Sequence, residues 1–558
     1  MAKRTTEAFS RVKIDALLRD VGWRIDDGVS VIFEHALSDG TQADYVLCDR
    51  RGRPMAVLEA KRTSINPETG ETQGRHYAEL LAVPFIFLSN GEEIWFLDRE
   101  VDAHPRQITT LFSQTDLEGR AARRTFRRDL SDVPADRAIV NRDYQLECVE
   151  TLCQEVSRGR RKLLVEMATG TGKTRTAAAF MKRLFEAGVV TRVLFLVDRI
   201  TLAGQASDAF TDHLTGYSCY IMQAQRRIDP ASQITIATLQ TMINEYRNFS
   251  AGYFDLIVTD ECHRSIYGEW SGALRHFDGI QLGLTATPLT STTAATGDQE
   301  DGAFVRDTLR FFELDRPTFT YSMQQAIAEG HLVPYHIYKA TTVKTAAEDG
   351  FEVRRDELDW SAMDDATRAE LLELFGDGDT IRVDPRALER KFTVPERNRA
   401  MVREFRNVVD NGFRGKDGLQ RYPLRGKTVV FAVTKRHAST LAQMFDAHFA
   451  DLKPHPTTKF ADYVVSDIGD GPGADAATII KRFKTDEFPQ ILVSVNMLNT
   501  GFDCPEVVNL VMARFTQSAI LYRQMRGRGT RKADHIRKSH FTMFDFVGVT
   551  DVFGDDES

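Results

Sequence analysis

The chain has 558 residues, of which 42% are hydrophobic and 27% are charged, and it contains six cysteines. This length exceeds one ordinary domain and predicts three or four. No apolar run approaches the ~18 residues of a membrane helix, and the N-terminus shows no signal-like apolar segment, so we expect no membrane partner. No CxxC pair occurs, which argues against a zinc knuckle and favours a reduced, cytoplasmic protein. The net charge of −8 neither predicts nor excludes nucleic acid, because binding needs only a local basic groove.

Residues 1–110 are predicted to form a first domain. An amphipathic helix from about Glu7 to Val21 precedes short runs with the composition of β-strands. These runs are VSVIFE, ADYVLCD, MAVLEAKR, FIFLSN and EIWFLD.

Residues 111–140 are polar and basic with little periodicity, which predicts a linker. The linker contains a run of five arginines: Arg120, Arg123, Arg124, Arg127 and Arg128. Two interpretations stay open for this run. It is a solvated linker helix, or it contacts phosphate between two domains.

Two later regions alternate apolar, β-rich runs with helical segments, namely residues 141–335 and 426–558. The runs are KLLVEM, RVLFLVD, QITIAT, DLIVTDE and QLGLTATP in the first region, and KTVVFAV, DYVVSD, QILVSV, VVNLVM and HFTMFDF in the second. Continuous apolar runs are typical of parallel sheets that are buried on both faces, so each region predicts an α/β lobe. The segment between them, 336–425, is partly helical and acidic, and we expect its carboxylates to face solvent.

The strongest chemical signal is ATGTGKT, residues 168–174, between the run KLLVEM and a helical segment. Glycines in such a loop let backbone N–H groups converge on phosphates, and the helix N-terminus favours negative charge. Lys173 is predicted to reach the β- and γ-phosphates of ATP, and Thr174 to ligate Mg²⁺. The nucleotide-binding residues of the loop are Thr169, Gly170, Thr171, Gly172, Lys173 and Thr174. Met167 stands where the strict motif has a small residue.

A carboxylate pair, Asp260 and Glu261, follows the apolar run DLIVT about ninety residues downstream. Asp260 is suited to hold Mg²⁺ through water, and Glu261 to orient or deprotonate the attacking water. His263 follows the pair, and we expect it to link the ATP site to the strand end Thr285–Pro288.

In this order, ATGTGKT, DECH and TATP resemble motifs I, II and III of superfamily 2 helicases and translocases. RDYQ resembles the adenine-side signature through Gln145, VDRITLAGQ (197–205) resembles motif Ia, and VNMLNTGFDCP (495–505) resembles motif V. YRQMRGRGTR (522–531) resembles motif VI, which implies that Gln524, Arg528 and Arg531 face the ATP. The resemblance implies two RecA-like parallel-sheet lobes, with one or both arginines acting on the γ-phosphate across the lobe interface.

The first domain carries a second set of chemical groups. Asp44 lies in ADYVLCD, and Glu59 and Lys61 are two residues apart in MAVLEAKR, so they share a strand face. Two carboxylates and a lysine suit Mg²⁺-assisted phosphodiester hydrolysis, with Asp44 and Glu59 holding the metal. The set resembles the PD-(D/E)xK nuclease core, and QGRHY, with Gln73 and Tyr77, resembles the QxxxY signature of nucleases fused to motors.

The order of nuclease, motor lobe and motor lobe resembles the restriction subunit of type I restriction–modification enzymes over about residues 5–548. The resemblance implies an endonuclease that translocates double-stranded DNA, uses ATP and Mg²⁺, and works with methyltransferase and specificity subunits. Family members usually continue into a helical region that docks on the methyltransferase. This sequence stops without it, so we expect it to be a shorter relative or a piece of a longer chain.

Two other functions remain open. The first is a repair or phage-defence helicase whose N-terminal domain only binds DNA, although intact Asp44, Glu59 and Lys61 argue against a decayed nuclease. The second is an ATPase that acts on RNA or remodels bound protein. The sequence shows no DNA-recognition element, so the isolated chain is expected to bind DNA without sequence preference.

Overall fold

The computed structural model describes residues 7–223, 229–262, 268–286, 308–340, 351–358, 360, 365–376, 378–383, 395–465, 476–498 and 501–555. The chain divides into two compact units. The first unit comprises Met1–Glu166, Gly172–Thr285 and Asp307–Thr320, and the second comprises Met167–Thr171, Ala286–Arg306 and Tyr321–Ser558. Among the described helices, none combines the length and apolar character needed to cross a bilayer.

The first unit begins with a six-stranded sheet in the order β1-β2-β3-β4-β5-β6. Its elements are α1 (Glu7–Asp20), β1 (Val31–Ala36), β2 (Gln42–Cys48), β3 (Pro54–Ala60), α2 (Glu71–Leu80), β4 (Phe85–Ser89), β5 (Ile94–Asp98) and β6 (Arg106–Ile108). Neighbouring strands are antiparallel except β3 and β4, which are parallel and are joined by α2. The helix and the five strands expected in residues 1–110 are confirmed. The three-residue strand β6 was not expected.

Aromatic side chains fill one face of this sheet. Phe87, Phe96 and Phe112 are fully buried, and their ring centroids lie 4.6–5.5 Å apart. The Trp23 indole N–H donates to the Phe112 carbonyl at 2.8 Å, which satisfies the polar atom of a buried aromatic residue. The segment after β6 is therefore anchored in the core of the N-terminal sheet.

Helix α3 (Gln114–Phe126) occupies much of the segment predicted to be an irregular linker. The helix begins with a capping box, in which the Ser113 hydroxyl accepts from Asp116 N–H and the Asp116 carboxylate accepts from Ser113 N–H. Residues 114–126 are therefore helical, as in the first interpretation of the arginine run. Polar and basic residues dominate this helix, which is why the segment shows little apolar periodicity in the sequence.

A seven-stranded sheet forms the rest of the first unit, in the order β13-β7-β12-β11-β8-β10-β9. Its elements are α4 (Asp143–Ser157), β7 (Lys162–Met167), α5 (Lys173–Glu186), β8 (Val193–Val197), α6 (Ile200–His213), β9 (Cys219–Ile221), β10 (Ile234–Thr238), α7 (Leu239–Glu245), β11 (Leu256–Asp260), α8 (Gly268–His276), β12 (Ile280–Thr285) and β13 (Phe319–Tyr321). In this sheet order, every pair of neighbouring strands between β7 and β9 is parallel. The five apolar runs of this region are its central strands, as predicted.

The second unit contains a six-stranded sheet, ordered β14-β23-β22-β19-β21-β20, with parallel neighbours throughout. Its sheet and helices are α9 (Met323–Ala328), β14 (Tyr335–Lys339), α11 (Pro395–Asn411), β19 (Lys427–Phe431), α12 (Lys435–His448), β20 (Ala461–Val464), α13 (Ala476–Thr485), β21 (Ile491–Ser494), β22 (Val507–Met512), α14 (Ala519–Arg526), β23 (Phe541–Asp545) and α15 (Val549–Val552). The remaining elements are β15 (Phe351–Arg354), α10 (Asp365–Phe375), β16 (Thr380–Val383), β17 (Phe413–Arg414) and β18 (Gln420–Arg421).

The inter-lobe segment predicted at 336–425 contributes to this second lobe. Strand β14 pairs with β23, so part of the segment is an edge of the sheet. Met401 and Phe405 of α11 are buried in the same hydrophobic core as Val430 and Phe445. The structure therefore extends the second lobe back to Tyr335. The sequence did not predict this strand as part of the sheet, because YHIYK has fewer apolar residues than the other sheet runs.

Candidate functional site

Asp44 and Glu59 stand on neighbouring antiparallel strands, β2 and β3. Tyr45 lies opposite Leu58 in this pair, and the next position brings Asp44 and Glu59 side by side. The side chain of Glu59 is 4% exposed and that of Asp44 is 14% exposed. Asp44 Oδ2 accepts from Ala60 N–H at 2.8 Å, which ties the Asp44 carboxylate to the strand that carries Glu59.

A chain of hydrogen bonds leads from Glu59 to helix α2. Lys61 Nζ donates to Glu59 Oε1 at 2.8 Å and to Gln73 Oε1 at 2.9 Å. Gln73 Nε2 donates to the hydroxyl of Tyr77 at 2.7 Å. The structure thus joins four of the five residues singled out in the sequence into one connected network, with Asp44 held beside it.

Two glycines let α2 lie close to the sheet. A Cβ atom at Gly70 would lie 2.9 Å from Lys61 Cε and 3.1 Å from Glu59 Cγ. A Cβ atom at Gly74 would lie 2.8 Å from Ile86 Cγ2 on β4. A Cβ atom at either position would force the neighbouring side chains to shift, so the glycines permit the close approach of α2 to the sheet that lets Gln73 meet Lys61.

Sequence reasoning missed Arg11, which lies on α1. Arg11 Nη2 donates to Asp44 Oδ1 at 2.5 Å, and Nη1 donates to Glu34 Oε1 at 2.9 Å. The carboxylates of Asp44 and Glu34 and the phenol of Tyr45 favour the charged guanidinium and raise the pKa of Arg11 against the opposing effect of burial. No sequence pattern links residue 11 to residue 44, so only the tertiary structure reveals this contact.

The donors around Asp44 fit a hard divalent cation. Asp44 and Glu59 offer carboxylate oxygens, and Mg²⁺ is usually bound through one or two carboxylates with its remaining positions filled by water or phosphate. A cationic group, the Arg11 guanidinium, already contacts Asp44 Oδ1. Among the described residues, no group of three or more His, Cys, Asp or Glu side chains has an arrangement suited to a metal.

The loop before α5 has the backbone that phosphate binding requires. Gly170 and Gly172 have φ values of +87° and +89°, which side chains with a Cβ rarely adopt. Helix α5 begins at Lys173, and Thr174 is its second residue. A Cβ atom at Gly172 would lie 2.7 Å from Gln145 Nε2, so the side chain of Gln145 lies directly against this loop.

Asp260 is the last residue of β11, and Glu261 follows it in the same unit. Burial and the adjacent Glu261 carboxylate raise the pKa of Asp260 above the ordinary aspartate value, whereas the nearby Lys173 ammonium lowers it. Glu261 has φ +49°, a conformation that is uncommon for residues other than glycine. Strained backbone of this kind clusters at functional sites. His263 and Pro288, which were expected to extend this site, lie outside the described residues.

Motif VI lies in the second unit, on α14 and the turn that follows it. Gln524 is buried, and within the described part of the chain neither its Oε1 nor its Nε2 has a hydrogen-bond partner. Arg528 donates to the carbonyl groups of Gln524 and Phe502. Arg531 donates to the Gly170 carbonyl at 2.8 Å and pairs with Asp503 at 2.7 Å.

Of the five arginines in this run, the three on α3 are paired with carboxylates, whereas Arg127 and Arg128, which follow the helix, are exposed. Arg123 pairs with Asp255 at 2.7 Å and Arg120 with Asp278 at 3.3 Å, while Arg124 pairs with Asp98. These three side chains are 12–20% exposed, so they are not solvated. Together with neighbouring acidic and basic residues they line a cavity of about 290 Å³. The partners of these three arginines among the described residues are carboxylates of the protein.

Two protein-family models match the sequence. Residues 138–290 match the family described as type III restriction enzyme, res subunit. Residues 419–533 match the family described as helicase conserved C-terminal domain. The first range contains the phosphate loop and the Asp260–Glu261 pair, and the second contains motif VI.

Curated relatives align with most of the chain. The type I restriction enzyme EcoKI endonuclease subunit of Escherichia coli (strain K12) is 27% identical, over 98% of this chain and 52% of the relative. The EcoAI endonuclease subunit of Escherichia coli is 28% identical, over 92% of this chain and 61% of the relative. The chain thus spans about half to three-fifths of the length of these relatives.

A solved structure supports the same relationship. It is described as a fragment of a putative HsdR subunit of a type I restriction enzyme from Vibrio vulnificus YJ016. It shares 26% identity with this chain at a TM-score of 0.54 and covers 99% of this chain and 95% of its own. The chain therefore contains two RecA-like helicase lobes and is homologous to the endonuclease (HsdR) subunits of type I restriction enzymes.

Proposed function

We propose that this chain is the restriction subunit of a type I restriction–modification system, an ATP-dependent translocase and Mg²⁺-dependent endonuclease that cuts foreign double-stranded DNA. One observation carries the proposal. The hydrogen-bonded network of Glu59, Lys61 and Gln73 lies in the same compact unit as Lys173 and Asp260. The homology to type I endonuclease subunits supports the combination of a nuclease with a motor.

For the nuclease, Asp44 and Glu59 are the residues that would hold Mg²⁺. When bound, this ion supplies charge stabilisation at the scissile phosphate and helps to activate water. Lys61 has three ammonium hydrogens, and among the described residues it donates two, to Glu59 and Gln73. The third is available to a phosphate oxygen. Gln73, itself bonded to Tyr77, positions Lys61 for this contact.

For the motor, Lys173 would neutralise charge on the β- and γ-phosphates of ATP at the N-terminus of α5, where the helix dipole also favours anions. Thr174 and Asp260 would hold the Mg²⁺ that accompanies the nucleotide. Glu261 would orient the attacking water and accept its proton. Gln145, which lies against Gly172, would read the adenine side of the nucleotide.

Motif VI would complete the motor chemistry. Arg528 and Arg531 are proposed to stabilise the charge that develops on the γ-phosphate during hydrolysis. Gln524 is proposed to contact the nucleotide as well. Leaving a buried amide without partners costs about 1–3 kcal/mol, and a ligand that supplies those partners would explain its presence.

Double-stranded DNA is the proposed substrate, and methyltransferase and specificity subunits are the proposed partners. The homology to type I endonuclease subunits supports both assignments. Recognition of the DNA sequence would then reside in the specificity subunit.

A second function is favoured by the contact between Arg11 and Asp44. Because a guanidinium occupies Asp44 Oδ1, the N-terminal domain could serve only to bind DNA. A nicking assay with supercoiled plasmid and a Mg²⁺ titration separates the two functions. Nicking that requires Mg²⁺ and is lost in Asp44→Ala supports the endonuclease, whereas DNA binding without nicking, in the presence of the partner subunits, supports the alternative.

The motor assignment is tested by ATP hydrolysis with duplex DNA, single-stranded DNA or RNA. Duplex DNA should stimulate hydrolysis most, and Lys173→Ala should abolish it, because the loop has no other cation to neutralise the phosphates. Lys182→Ala, on the outer part of the same helix and paired with Asp136, is a matched control that should keep activity. Stimulation by RNA alone, or near wild-type hydrolysis by Lys173→Ala, would contradict the assignment.

A further inference from the structure

The Arg11 guanidinium bridges two carboxylates of the N-terminal sheet. One arm of its guanidinium reaches Asp44 at 2.5 Å and the other reaches Glu34 at 2.9 Å. The Glu34 side chain is 64% exposed, whereas that of Asp44 is 14% exposed. The cation therefore bridges a solvent-facing carboxylate and the inner carboxylate of the proposed nuclease site.

The sheet register explains why a cation is needed here. Phe33 lies opposite Tyr45, and His35 lies opposite Ala43. The position between these pairs sets Glu34 against Asp44, and like charges on directly opposed residues destabilise a sheet. Glu34 also has φ +48°, so its backbone departs from regular strand geometry at this point. Arg11 neutralises the resulting pair of carboxylates.

The contact also selects one oxygen of Asp44. Oδ2 accepts a hydrogen bond from Ala60 N–H at 2.8 Å, whereas Oδ1 accepts from the Arg11 guanidinium. Helix α1 is held in place one residue further along the strand, because the Tyr45 hydroxyl donates to Asp15 Oδ1 at 3.0 Å. Arg11 is thus built into the site and not a surface side chain that reaches it by chance.

We infer that Arg11 is an internal counter-ion of the nuclease site, which competes with a divalent cation for Asp44 Oδ1 and moves onto Glu34 when the metal binds. This inference rests on the proposed nuclease function of Asp44. Arg11 is a positioning residue, since it acts on the metal through Asp44. Glu34 is its alternative partner, and its exposure leaves room for the guanidinium to move outward.

Metal affinity tests the inference without relying on cleavage. Mn²⁺ binding to the nucleotide-free full chain is measured by calorimetry or electron paramagnetic resonance. Arg11→Met should bind Mn²⁺ about tenfold more tightly than the wild type, the size expected when one competing charge-assisted hydrogen bond is removed. Simple damage to the site would weaken binding, so the sign of the change is decisive.

Glu34→Gln should shift the affinity in the opposite direction, about threefold weaker, because the guanidinium loses its second partner and stays on Asp44. In the double variant Arg11→Met with Glu34→Gln, the effect of the Glu34 substitution should vanish, since Glu34 acts through Arg11. Effects that simply add would show that Glu34 acts only through its long-range field, and would overturn the proposed movement.

Two controls separate the possible failures. Lys13→Met removes a cation from the same helix that pairs with Glu92 at 2.6 Å, and it should change Mn²⁺ affinity less than Arg11→Met. Asp44→Ala should abolish the binding isotherm. If Asp44→Ala binds Mn²⁺ normally, the nuclease site itself is misassigned. If Asp44→Ala loses binding but Arg11→Met gains no affinity, the counter-ion role alone is wrong.

Discussion

Lys61 connects the sheet and helix α2 in the proposed nuclease site. Its ammonium bonds Glu59 on the sheet side and Gln73 on the helix side. Glu59 is buried, and a buried carboxylate needs a partner cation to remain charged. Lys61 therefore offsets the cost of burying the Glu59 carboxylate and also offers a donor to phosphate.

Arg528 and Arg531 should affect ATP turnover more than ATP binding. Arginines that act on the γ-phosphate stabilise the transition state, with effects of about 10³-fold or more in the best cases. We expect Arg528→Ala and Arg531→Ala to slow DNA-stimulated hydrolysis strongly while nucleotide affinity, measured with a fluorescent ATP analogue, stays largely intact. The exposed Lys532→Ala is the matched control. A large loss of affinity with unchanged turnover would make these arginines ground-state contacts instead.

At the scale of single residues, the sequence predicted site residues that are close together along the chain. It missed site residues that only folding brings into contact. Glu59 and Lys61 alternate on one strand, and Gln73 and Tyr77 are one helical turn apart, so each pair was readable as a local pattern. Arg11 reaches Asp44 from a helix that is 33 residues away in sequence. A lone arginine in an amphipathic helix carries no local signal of such a contact.

Helix α3 is anchored by ion pairs in addition to the burial of Leu117 in the N-terminal core. Asp278 pairs with Arg106 at 2.6 Å, and with Arg120 of α3 and Arg161 at 3.3 Å. Burial alone would raise the pKa of Asp278, but the arginines lower it well below the ordinary aspartate value. One carboxylate thereby joins β6, α3 and the two segments that lead into β7 and β12.

Replacing Asp278 should therefore destabilise the first unit. Asp278→Asn leaves three arginines without their shared anion, and removal of one partner from a buried ion pair costs about 3–5 kcal/mol. Urea unfolding of the full chain measures the change in the free energy of unfolding. Asp26→Asn is the control, because Asp26 is 87% exposed and its pairing with Arg19 is loose at 3.7 Å. Equal unfolding midpoints for the two variants would refute this role.

Helix α12 carries a histidine that should make the second unit sensitive to acid. Burial, with a smaller effect from Arg397, lowers the pKa of His437 to about 3, and its Nδ1 accepts from Val433 N–H at 3.2 Å. His437 is thus neutral in the folded state but takes up a proton near pH 6.5 when unfolded. Since the unfolded state binds more protons below that pH, the free energy of unfolding falls as the pH drops from about 6.5 towards 3.

His437→Asn should flatten this dependence, because asparagine keeps an acceptor for Val433 N–H and does not titrate. Below pH 6.5 the wild type should lose about 1.4 kcal/mol more per pH unit than the variant. Urea midpoints between pH 5 and 7.5 measure the difference. The exposed His455→Asn should retain the wild-type slope. Parallel curves for wild type and His437→Asn would show that His437 is not the group responsible.

The buried strands could be predicted from the sequence more readily than helix α3, because different interactions stabilise them. Strands such as VLFLV (β8) and IVT within β11 are buried on both faces, so their composition alone marked them. Helix α3 is stabilised by ion pairs to residues far away in sequence, which no local period records. Its capping box, Ser113 with Asp116, was the one local signal that could have revealed where it begins.

At the scale of the whole molecule, the two proposed chemistries use separate residues, although the first unit contains both the nuclease residues and the Lys173 and Asp260 part of the motor. Asp44 and Glu59 lie on strands of the N-terminal six-stranded sheet and Lys61 directly follows β3, while Lys173 begins helix α5 and Asp260 ends strand β11 of the seven-stranded sheet. No residue is shared between the two sets. The nuclease and the motor should therefore be separable by single substitutions, although cutting depends on the motor if translocation must first bring DNA to a stalled complex.

The central claim is tested most directly by measuring ATP hydrolysis and plasmid linearisation on the same four variants, with methyltransferase and specificity subunits present. Asp44→Ala, Glu59→Ala and Lys61→Ala should stop linearisation and leave DNA-stimulated hydrolysis nearly unchanged, whereas Lys173→Ala should stop both. Full linearisation by Lys173→Ala would show that the nuclease works without the motor. Normal linearisation by Asp44→Ala would place the nuclease site elsewhere, and either result would contradict the account.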